Sequence, residues 1–450
     1  MPGLRRELLG LAWPIVISRS TQTVVGLCDA FMVAHLGAAA LAATTTGAMN
    51  TFTALILPMG ICFIVSSFAS QLHGAGDGVG ARRYGWYGLG LAAITQLVCL
   101  CAILVVDIAL RPLGYAADVH GPMASYIEVR LLSGGAAIGL EALGNYYGGL
   151  GNTRLPMIAN LLAMTMNLVG NYLLIDGHFG MPALGVRGAA WASVFATSLA
   201  FVFLLVVFLR DGASGWRPIG LTFAEFRRML RFGIPSGFNW FFEFLAFMFF
   251  VNVVVGGLGT PALAALMAVI QINSFSFMPA FGIASAGAIL VGQRIGSGDR
   301  DGVTALVRVT FTTAAAWQLS VGLCYFLFPE ALFSPFAAGE AVEAAALLAV
   351  GARLLMLSSL WQLFDSALAV LAESLRAAGD TAFPLWARLG VSWLFFVPGS
   401  WFTIRELGWD IDAAVGWIVA YLGLLSAILW VRFRSGAWRN IALVDGAPSG

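Results

Sequence analysis

Three carboxylates lie inside long apolar stretches of this sequence, where a charge is expensive. Asp29, Glu243 and Asp365 stand in the segments VVGLCDAFMVAHLG, FNWFFEFLAFMFFVNVVV and SSLWQLFDSALAVL. An ionisable group inside a membrane helix costs at least ~2.5 to 3.5 kcal/mol, and it normally faces a partner or a water-filled cavity. The three acids are therefore the first candidates for binding an ion or a charged substrate.

Neutral polar residues can complete the first of these sites. Asn167 and Asn171 are four residues apart and share a helix face. Helix rise places them, together with Ser193, at about the depth of Asp29. One carboxylate with amide and hydroxyl oxygens can hold a hard cation such as sodium, or it can take a proton. The alternative is that these Asn and Ser residues only form hydrogen bonds between helices.

Glu243 and Asp365 are predicted to reach similar depths on two different helices. Two carboxylates placed close together cannot both ionise cheaply, so a shared proton or a bound sodium ion is expected there. The alternative is that Glu243 and Asp365 take part only in structural pairing between polar side chains. Glu141 is predicted at the matching depth in the first half of the chain, and we expect Arg19 to pair with an acid, for which Glu141 is a candidate.

Aromatic and polar side chains near these acids are candidates for the wall of a substrate cavity. Flat organic cations favour cation–π and dispersion contacts, although most such side chains face lipid or the core. The candidates are Gln22, Glu141, Phe238, Trp240, Phe241, Gln271, Phe275, Met278 and Trp361. Pro14 and Pro235 each interrupt a predicted helix and are candidate bending points.

The elements that must position these residues are membrane helices. The chain is 60% hydrophobic and 10% charged over 450 residues, with a net charge of +1. This composition is typical of an integral membrane protein, without a nucleic-acid partner. Runs of ~20 apolar residues cross the bilayer. Twelve are predicted, at 10–36, 44–70, 84–109, 123–147, 155–175, 187–209, 234–257, 263–292, 304–328, 344–372, 383–403 and 413–434.

Signatures of catalysis and of structural metal sites are missing from the sequence. Every basic residue is arginine, which excludes a lysine Schiff base and a P-loop lysine. HExxH and GxSxG motifs are absent, and the five cysteines lack the spacing of metal ligands. We therefore expect no enzymatic activity and no cofactor other than a proton or sodium ion bound at the carboxylates.

Motifs from the first half of the sequence recur in the second half. QLHGAGD at 71–77 recurs as QRIGSGD at 293–299, an offset of 222 residues, and GNTRLP at 151–156 recurs as GDTAFP at 379–384, an offset of 228. Because each repeat contains six spans, both enter the membrane from the same side. Secondary transporters with this arrangement bind substrate between their two lobes, so an inter-lobe site is expected.

Arginines predict the orientation of the repeats. Most of them, including Arg82, Arg227 and Arg388, fall on the side of the N-terminus, and the positive-inside rule then places both termini in the cytoplasm.

The prediction is an all-α integral membrane protein with twelve transmembrane helices in two pseudo-symmetric six-helix lobes. Its parts are an N-terminal lobe at 1–210, a cytoplasmic linker at 211–222, a C-terminal lobe at 223–435 and a cytoplasmic tail at 436–450.

Four segments spread over both halves show a family likeness. They are PIVISRSTQTVVGLCDAFMVAHLG, NYLLIDGHFGMPALGVRGAAWAS, QINSFSFMPAFGIASAGAILVGQRIGSGD and the Asp365 segment that ends in LRAAGDTAFP. They resemble the multidrug and toxic compound extrusion (MATE) family, and its NorM-type branch in particular. The resemblance implies an antiporter of the bacterial inner membrane that exports small organic, often cationic or amphipathic compounds in exchange for protons or sodium ions. A monomer is expected.

The resemblance also implies roles for individual residues. The acidic positions of family helices 1, 7 and 10, the polar pair of helix 5 and a hydroxyl position of helix 6 fall on Asp29, Glu243, Asp365, Asn167, Asn171 and Ser193. Trp361 departs from the pattern, because NorM-type proteins commonly have a tyrosine there and an indole offers no oxygen lone pair. This departure favours proton coupling over sodium in the second lobe.

One alternative function belongs to the same superfamily. A lipid-linked precursor flippase would need a cavity rich in arginine to meet a pyrophosphate. Near the membrane interior the sequence offers Arg19, with Arg130 and Arg353 as further candidates. The sequence therefore favours the exporter.

Overall fold

The protein is helical throughout the part of the chain that the structure describes. The structure, a computed structural model, covers residues 2–211, 220–337 and 341–444, and no β-strand occurs in these ranges. Residues 212–219 of the predicted linker and 445–450 of the predicted tail lie outside them. The first six long helical segments are α1 (Pro2–Ala34), α2 (Ala38–Gly74), α3 (Gly78–Ile103), α4 (Ala117–Leu131 and Gly134–Gly149), α5 (Arg154–Leu174) and α6 (Val186–Arg210).

The second half of the chain contains six further segments. They are α7 (Phe223–Phe249, continued by a π-helical turn at Phe250–Val255), α8 (Thr260–Gly296), α9 (Gly302–Leu327), α10 (Ala341–Ser358 and Gln362–Ala377), α11 (Ala382–Gly390, continued by shorter turns to Glu406) and α12 (Asp412–Arg434). Each segment corresponds to one predicted apolar run.

Not all of these segments are uninterrupted apolar helices. By length and composition, eight of the described helices can cross a membrane, and a ninth qualifies if the bent pair Gly302–Leu327 and Pro329–Phe336 is one span. The other three have local interruptions. α1 contains six consecutive polar residues from Ser18 to Thr23, α4 is broken into helices of 15 and 16 residues, and α11 contains π-helical turns.

The predicted repeat is confirmed in the details of the backbone. α2 and α8 are both 37 residues long, and each begins after a glycine, Gly37 or Gly259, whose φ angle is 107° or 99°. Residues other than glycine rarely adopt this backbone conformation. Before α3 and α9, Asp77 and Asp299 each accept a hydrogen bond from the backbone N–H three residues later, at 2.7 and 2.9 Å. The same sequence motif therefore makes the same aspartate-to-backbone hydrogen bond at the start of both helices.

The helices pack into two compact units that are divided inside helices. The first unit is Ile17–Gly237, and the second consists of Met1–Val16 together with Phe238–Gly450. The divisions fall two residues after Pro14 in α1 and Pro235 in α7, and both helices continue through the proline. They do not coincide with the predicted lobe boundaries at 210 and 223, because the start of α1 buries side chains in the core of the second unit. Bending at the two prolines stays a prediction.

Candidate functional site

The first unit brings three of the predicted polar residues together around Asp29. The Asp29 side chain is buried, with 8% exposed, and the amide of Asn171 donates a hydrogen bond to its Oδ1 at 2.5 Å. The same amide donates to Oδ1 of Asn167 at 3.3 Å, and Asn167 donates to the hydroxyl of Ser193 at 3.0 Å. The one-turn spacing of the two asparagines on α5 makes this chain of contacts possible.

The Asn171 amide leaves one acceptor open beside the carboxylate. Asn171 is fully buried, and its Oδ1 has no hydrogen-bond donor within the described part of the chain. A buried acceptor without a donor carries a desolvation penalty. Carboxylate and amide oxygens are the ligand types that hard cations prefer, and an amide can also accept a hydrogen bond from a protonated carboxyl group. The arrangement suits a proton or a small cation.

A cavity of about 340 Å³ lies within the first unit and reaches this polar cluster. Its wall includes Asn167 and Ser193, and it also includes the predicted cavity residues Gln22 and Glu141. Arg130 lines the same cavity and is close enough to Asp29 for a charge interaction. The sequence analysis names Arg130 as a candidate near the membrane interior, and the structure gives it a place in the cavity wall.

Arg19 has an acidic partner inside the first unit, as predicted. Its Nη1 lies 2.9 Å from Oε1 of Glu141, and the two side chains are 21% and 13% exposed. Asn145 donates a second hydrogen bond, at 3.1 Å, to the other Glu141 oxygen. The pair cancels two charges that would each be costly inside the membrane.

In the second unit, Asp365 is bound by an amide that the sequence-based prediction does not include. Asp365 lies in the first turn after a 3-10 turn, Ser359–Trp361, that breaks α10. Nε2 of Gln318 on α9 donates to Asp365 Oδ2 at 2.6 Å. Gln318 is fully buried, and within the described residues its Oε1 has no donor. The pairing of a carboxylate with a buried amide whose oxygen is open therefore occurs in both units.

A network of buried polar side chains surrounds the break in α10. Gln362 Nε2 donates to Asn273 Oδ1 at 2.7 Å, and Ser276 Oγ donates to Gln362 Oε1 at 2.8 Å. Asn273 Nδ2 donates to Ser358 Oγ at 3.1 Å. The available sequence signal is the same for all of these residues, an amide or hydroxyl inside an apolar span, where hydrogen bonds to neighbouring helices are expected.

Glu243 has a different partner from the one predicted. The guanidinium group of Arg388 contacts its carboxylate, and the side chains of Arg388 and Glu243 are 7% and 33% exposed. Arg388 was counted with the arginines on the side of the N-terminus, and the structure shows that, six residues into α11, it is buried against α7. Its position inside the predicted span 383–403 was the signal, since an intramembrane arginine needs an acidic partner as much as an acid needs a cation.

The remaining candidate cavity residues have varied surroundings in the second unit. Phe238 stacks on Phe242 with ring centroids 5.6 Å apart, and Trp240 meets Phe281 edge-on at 5.9 Å. Phe275 is 63% exposed, whereas Trp361 is buried. Three further candidates, Phe241, Gln271 and Met278, are partly buried.

The repeat offers a matched pair of glutamines for testing the role of Gln318. At the offset of 222 its equivalent is Gln96, which donates to the carbonyl of Leu131 at 3.3 Å and accepts from the N–H of Gly135 at 2.8 Å. Gln96 therefore satisfies the backbone of the broken α4, whereas Gln318 binds a carboxylate. The two equivalent amides have different tasks.

We expect Gln318→Leu to slow transport by about tenfold per folded molecule, because a hydrogen bond to a charged group is worth ~1.5 to 3 kcal/mol. Gln96→Leu should lower the thermal unfolding temperature and leave the rate per folded molecule close to that of the wild type. Transport in proteoliposomes, normalised to folded protein, measures both effects. Equal rate losses in the two variants would show that Gln318 is only structural.

Similarities to known proteins agree with this architecture. A family model described as MatE matches residues 14–173 and 235–402. A protein of Thermotoga maritima described as probable multidrug resistance protein NorM is 25% identical over 99% of this chain and 95% of the relative. A protein of Rhizobium meliloti with the same description is 27% identical over 99% and 95%.

Solved structures share the fold. A crystal structure of MATE in complex with MaL6 has a TM-score of 0.87 at 20% identity, covering 97% of this chain and 98% of the other. A MOP superfamily transporter from Pyrococcus furiosus has a TM-score of 0.85 at 19% identity, covering 97% of both chains. Within the described residues, no group of three or more His, Cys, Asp or Glu side chains could hold a metal ion. The chain belongs to the multidrug and toxic compound extrusion family, and it is a multi-pass membrane transporter, not an enzyme.

Proposed function

We propose that this protein exports small organic compounds, cationic or amphipathic in character, in exchange for protons or sodium ions. The observation that carries the proposal is the recurrence of one device in both units. In each, a carboxylate is hydrogen-bonded by a fully buried amide whose oxygen is left open, Asp29 with Asn171 and Asp365 with Gln318. The multidrug resistance descriptions of the NorM relatives support export of varied compounds.

The carboxylate–amide pair suits a group that alternates between two states. When the carboxyl group is charged, the amide N–H donates to it. When a proton or cation is bound, the amide oxygen serves as an acceptor or ligand. A bound cation shifts the equilibrium between conformations only by its differential affinity for them, so a pair that changes its contacts on binding is a suitable coupling element.

We further propose that Asp29 and Asp365 couple transport to the cation, and that Arg388 acts as the counter-ion of Glu243. The Glu243 carboxylate already contacts a guanidinium group, so an additional cation would have to compete with a tethered one. The earlier expectation of a proton or sodium ion shared by Glu243 and Asp365 is less well supported than separate sites. Asn167 and Ser193 extend the Asp29 site in the first unit.

The proposal includes a location and an orientation. We propose that the protein functions as a monomer in a bacterial inner membrane with both termini in the cytoplasm, since most arginines fall on the N-terminal side of the spans. Accessibility labelling of single cysteines introduced near Arg5 and near Arg111 distinguishes the two orientations.

The charges of the first-unit cavity support the exporter over the flippase. Arg130 lines this cavity close enough to Asp29 for a charge interaction, and Arg19 is paired with Glu141. A pyrophosphate would require several uncompensated cationic groups, whereas this wall is close to neutral.

The deciding experiment is export of a fluorescent organic cation from proteoliposomes under separately imposed proton and sodium gradients. We expect an inward gradient of one of the two ions to drive export and the other to be ineffective. Transport that ignores both gradients, or that accepts an anionic lipid and no organic cation, would contradict the proposal.

A further inference from the structure

A large groove in the second unit is separate from both carboxylate–amide pairs. Its volume is about 1030 Å³, at the upper end of the range for small-molecule sites. It is lined by α9, α10 and α12 and by the turn that follows α12. Most of its wall is apolar, with Val307, Phe311, Phe364, Leu371 and Phe433 as examples.

One end of the groove is basic. Arg308, Arg434 and Arg439 all line it, and no acidic residue is among its lining residues. Arg308 lies near the start of α9 and Arg434 at the end of α12, and both are exposed. Oδ1 of Asp301 lies 3.0 Å from Nη1 of Arg439. This carboxylate partly neutralises the charge of Arg439. The basic end therefore depends chiefly on Arg308 and Arg434.

Tryptophans mark the same end of the groove. The guanidinium group of Arg434 lies 5.1 Å from the ring centroid of Trp430, and that of Arg439 lies 5.4 Å from Trp438. Trp and Arg side chains together are typical of the boundary between lipid headgroups and hydrocarbon. On α10 the groove is lined from Leu371 to Leu363, a distance of eight residues or roughly 12 Å at ~1.5 Å per residue. This is a little less than half of a hydrocarbon core of ~30 Å.

We propose that this groove is a binding site for an anionic phospholipid. The phosphate is bound by Arg308 and Arg434, whose planar groups match phosphate oxygens, and one acyl chain lies along the apolar wall of α10. Basic pockets between membrane helices are a known physical basis for recognising anionic lipid headgroups. The charge of the groove selects an anionic headgroup, and its apolar wall accommodates part of an acyl chain.

The test is native mass spectrometry of the full chain in mixed micelles. The probes are phosphatidylglycerol and phosphatidylcholine with identical acyl chains. We expect the wild type to retain phosphatidylglycerol about tenfold more strongly, and this preference to weaken at high salt. The double variant Arg308→Ala/Arg434→Ala should lose the preference. The matched control, Arg227→Ala/Arg231→Ala, removes two exposed arginines of the first unit and should keep it.

A second variant tests the apolar part of the site without changing charge. Ala427 lines the groove and is exposed, and Ala427→Trp should reduce retention of phosphatidylglycerol while thermal unfolding stays unchanged. The proposal fails if both lipids are retained equally by the wild type, or if the two double variants lose phosphatidylglycerol equally. It also fails if the groove binds a cationic amphiphile in preference to phosphatidylglycerol.

Discussion

Asp29→Asn is expected to abolish cation-coupled export, with a loss of at least about tenfold for each ~1.4 kcal/mol of lost cation binding. The substitution is nearly isosteric, and the new side chain retains an oxygen that can accept the hydrogen bond from Asn171. The variant should therefore fold normally, while the charge that attracts a proton or sodium ion is gone. Ion flux stimulated by an organic cation, measured in proteoliposomes, gives the result directly.

The control for this variant is Asp118→Asn. Asp118 is an exposed acid in the first turn of α4, and its replacement should leave flux and thermal unfolding unchanged. Wild-type flux in Asp29→Asn would remove Asp29 from the coupling mechanism, and the proposal would then rest on Asp365 alone.

Glu243→Gln is expected to destabilise the protein by about 2.5 to 3.5 kcal/mol, because it leaves the charge of Arg388 buried without an acid. Arg388→Gln should destabilise it less, since Glu243 is 33% exposed and Arg388 only 7%. The double variant should recover most of the loss, as is common when both members of a buried ion pair are replaced. Thermal unfolding in detergent micelles compares all three variants.

Export by the same variants separates two roles of Glu243. If Arg388 is its permanent counter-ion, the double variant transports at a rate close to the wild type, because the removed charges cancelled one another. A double variant that folds well and yet loses ion coupling would contradict this role. It would assign the coupling cation to Glu243, as first expected from the sequence.

The fold could be predicted in detail because each of its elements is specified locally. Apolar runs of membrane length define the helices, and the glycines and aspartates of the repeated motifs specify the turns between them. Gly37 and Gly259 adopt the same backbone conformation because both stand at the same position of the repeat. The breaks in α4 and α10 and the division of the units inside α1 and α7 were not predicted, because they depend on packing against other helices.

The acids were identified correctly as unusual, but their partners were predicted only in part. Asn171 was assigned to Asp29 because helix periodicity and depth are both readable from residue spacing. Gln318 and Arg388 were overlooked as partners, although both stand inside predicted spans. Depth along a helix follows from counting residues, whereas the direction in which a side chain points depends on how the helix is rotated and where it breaks.

The sequence by itself determined that this protein is a duplicated membrane bundle with three costly carboxylates. Only the tertiary structure decided that Asp29 and Asp365 each meet a buried amide and that Glu243 meets an arginine. The physical reason lies in the free energy of burial. Lipid makes any unpaired charge expensive, so the sequence reveals that a partner must exist, but its identity depends on which helix faces pack together.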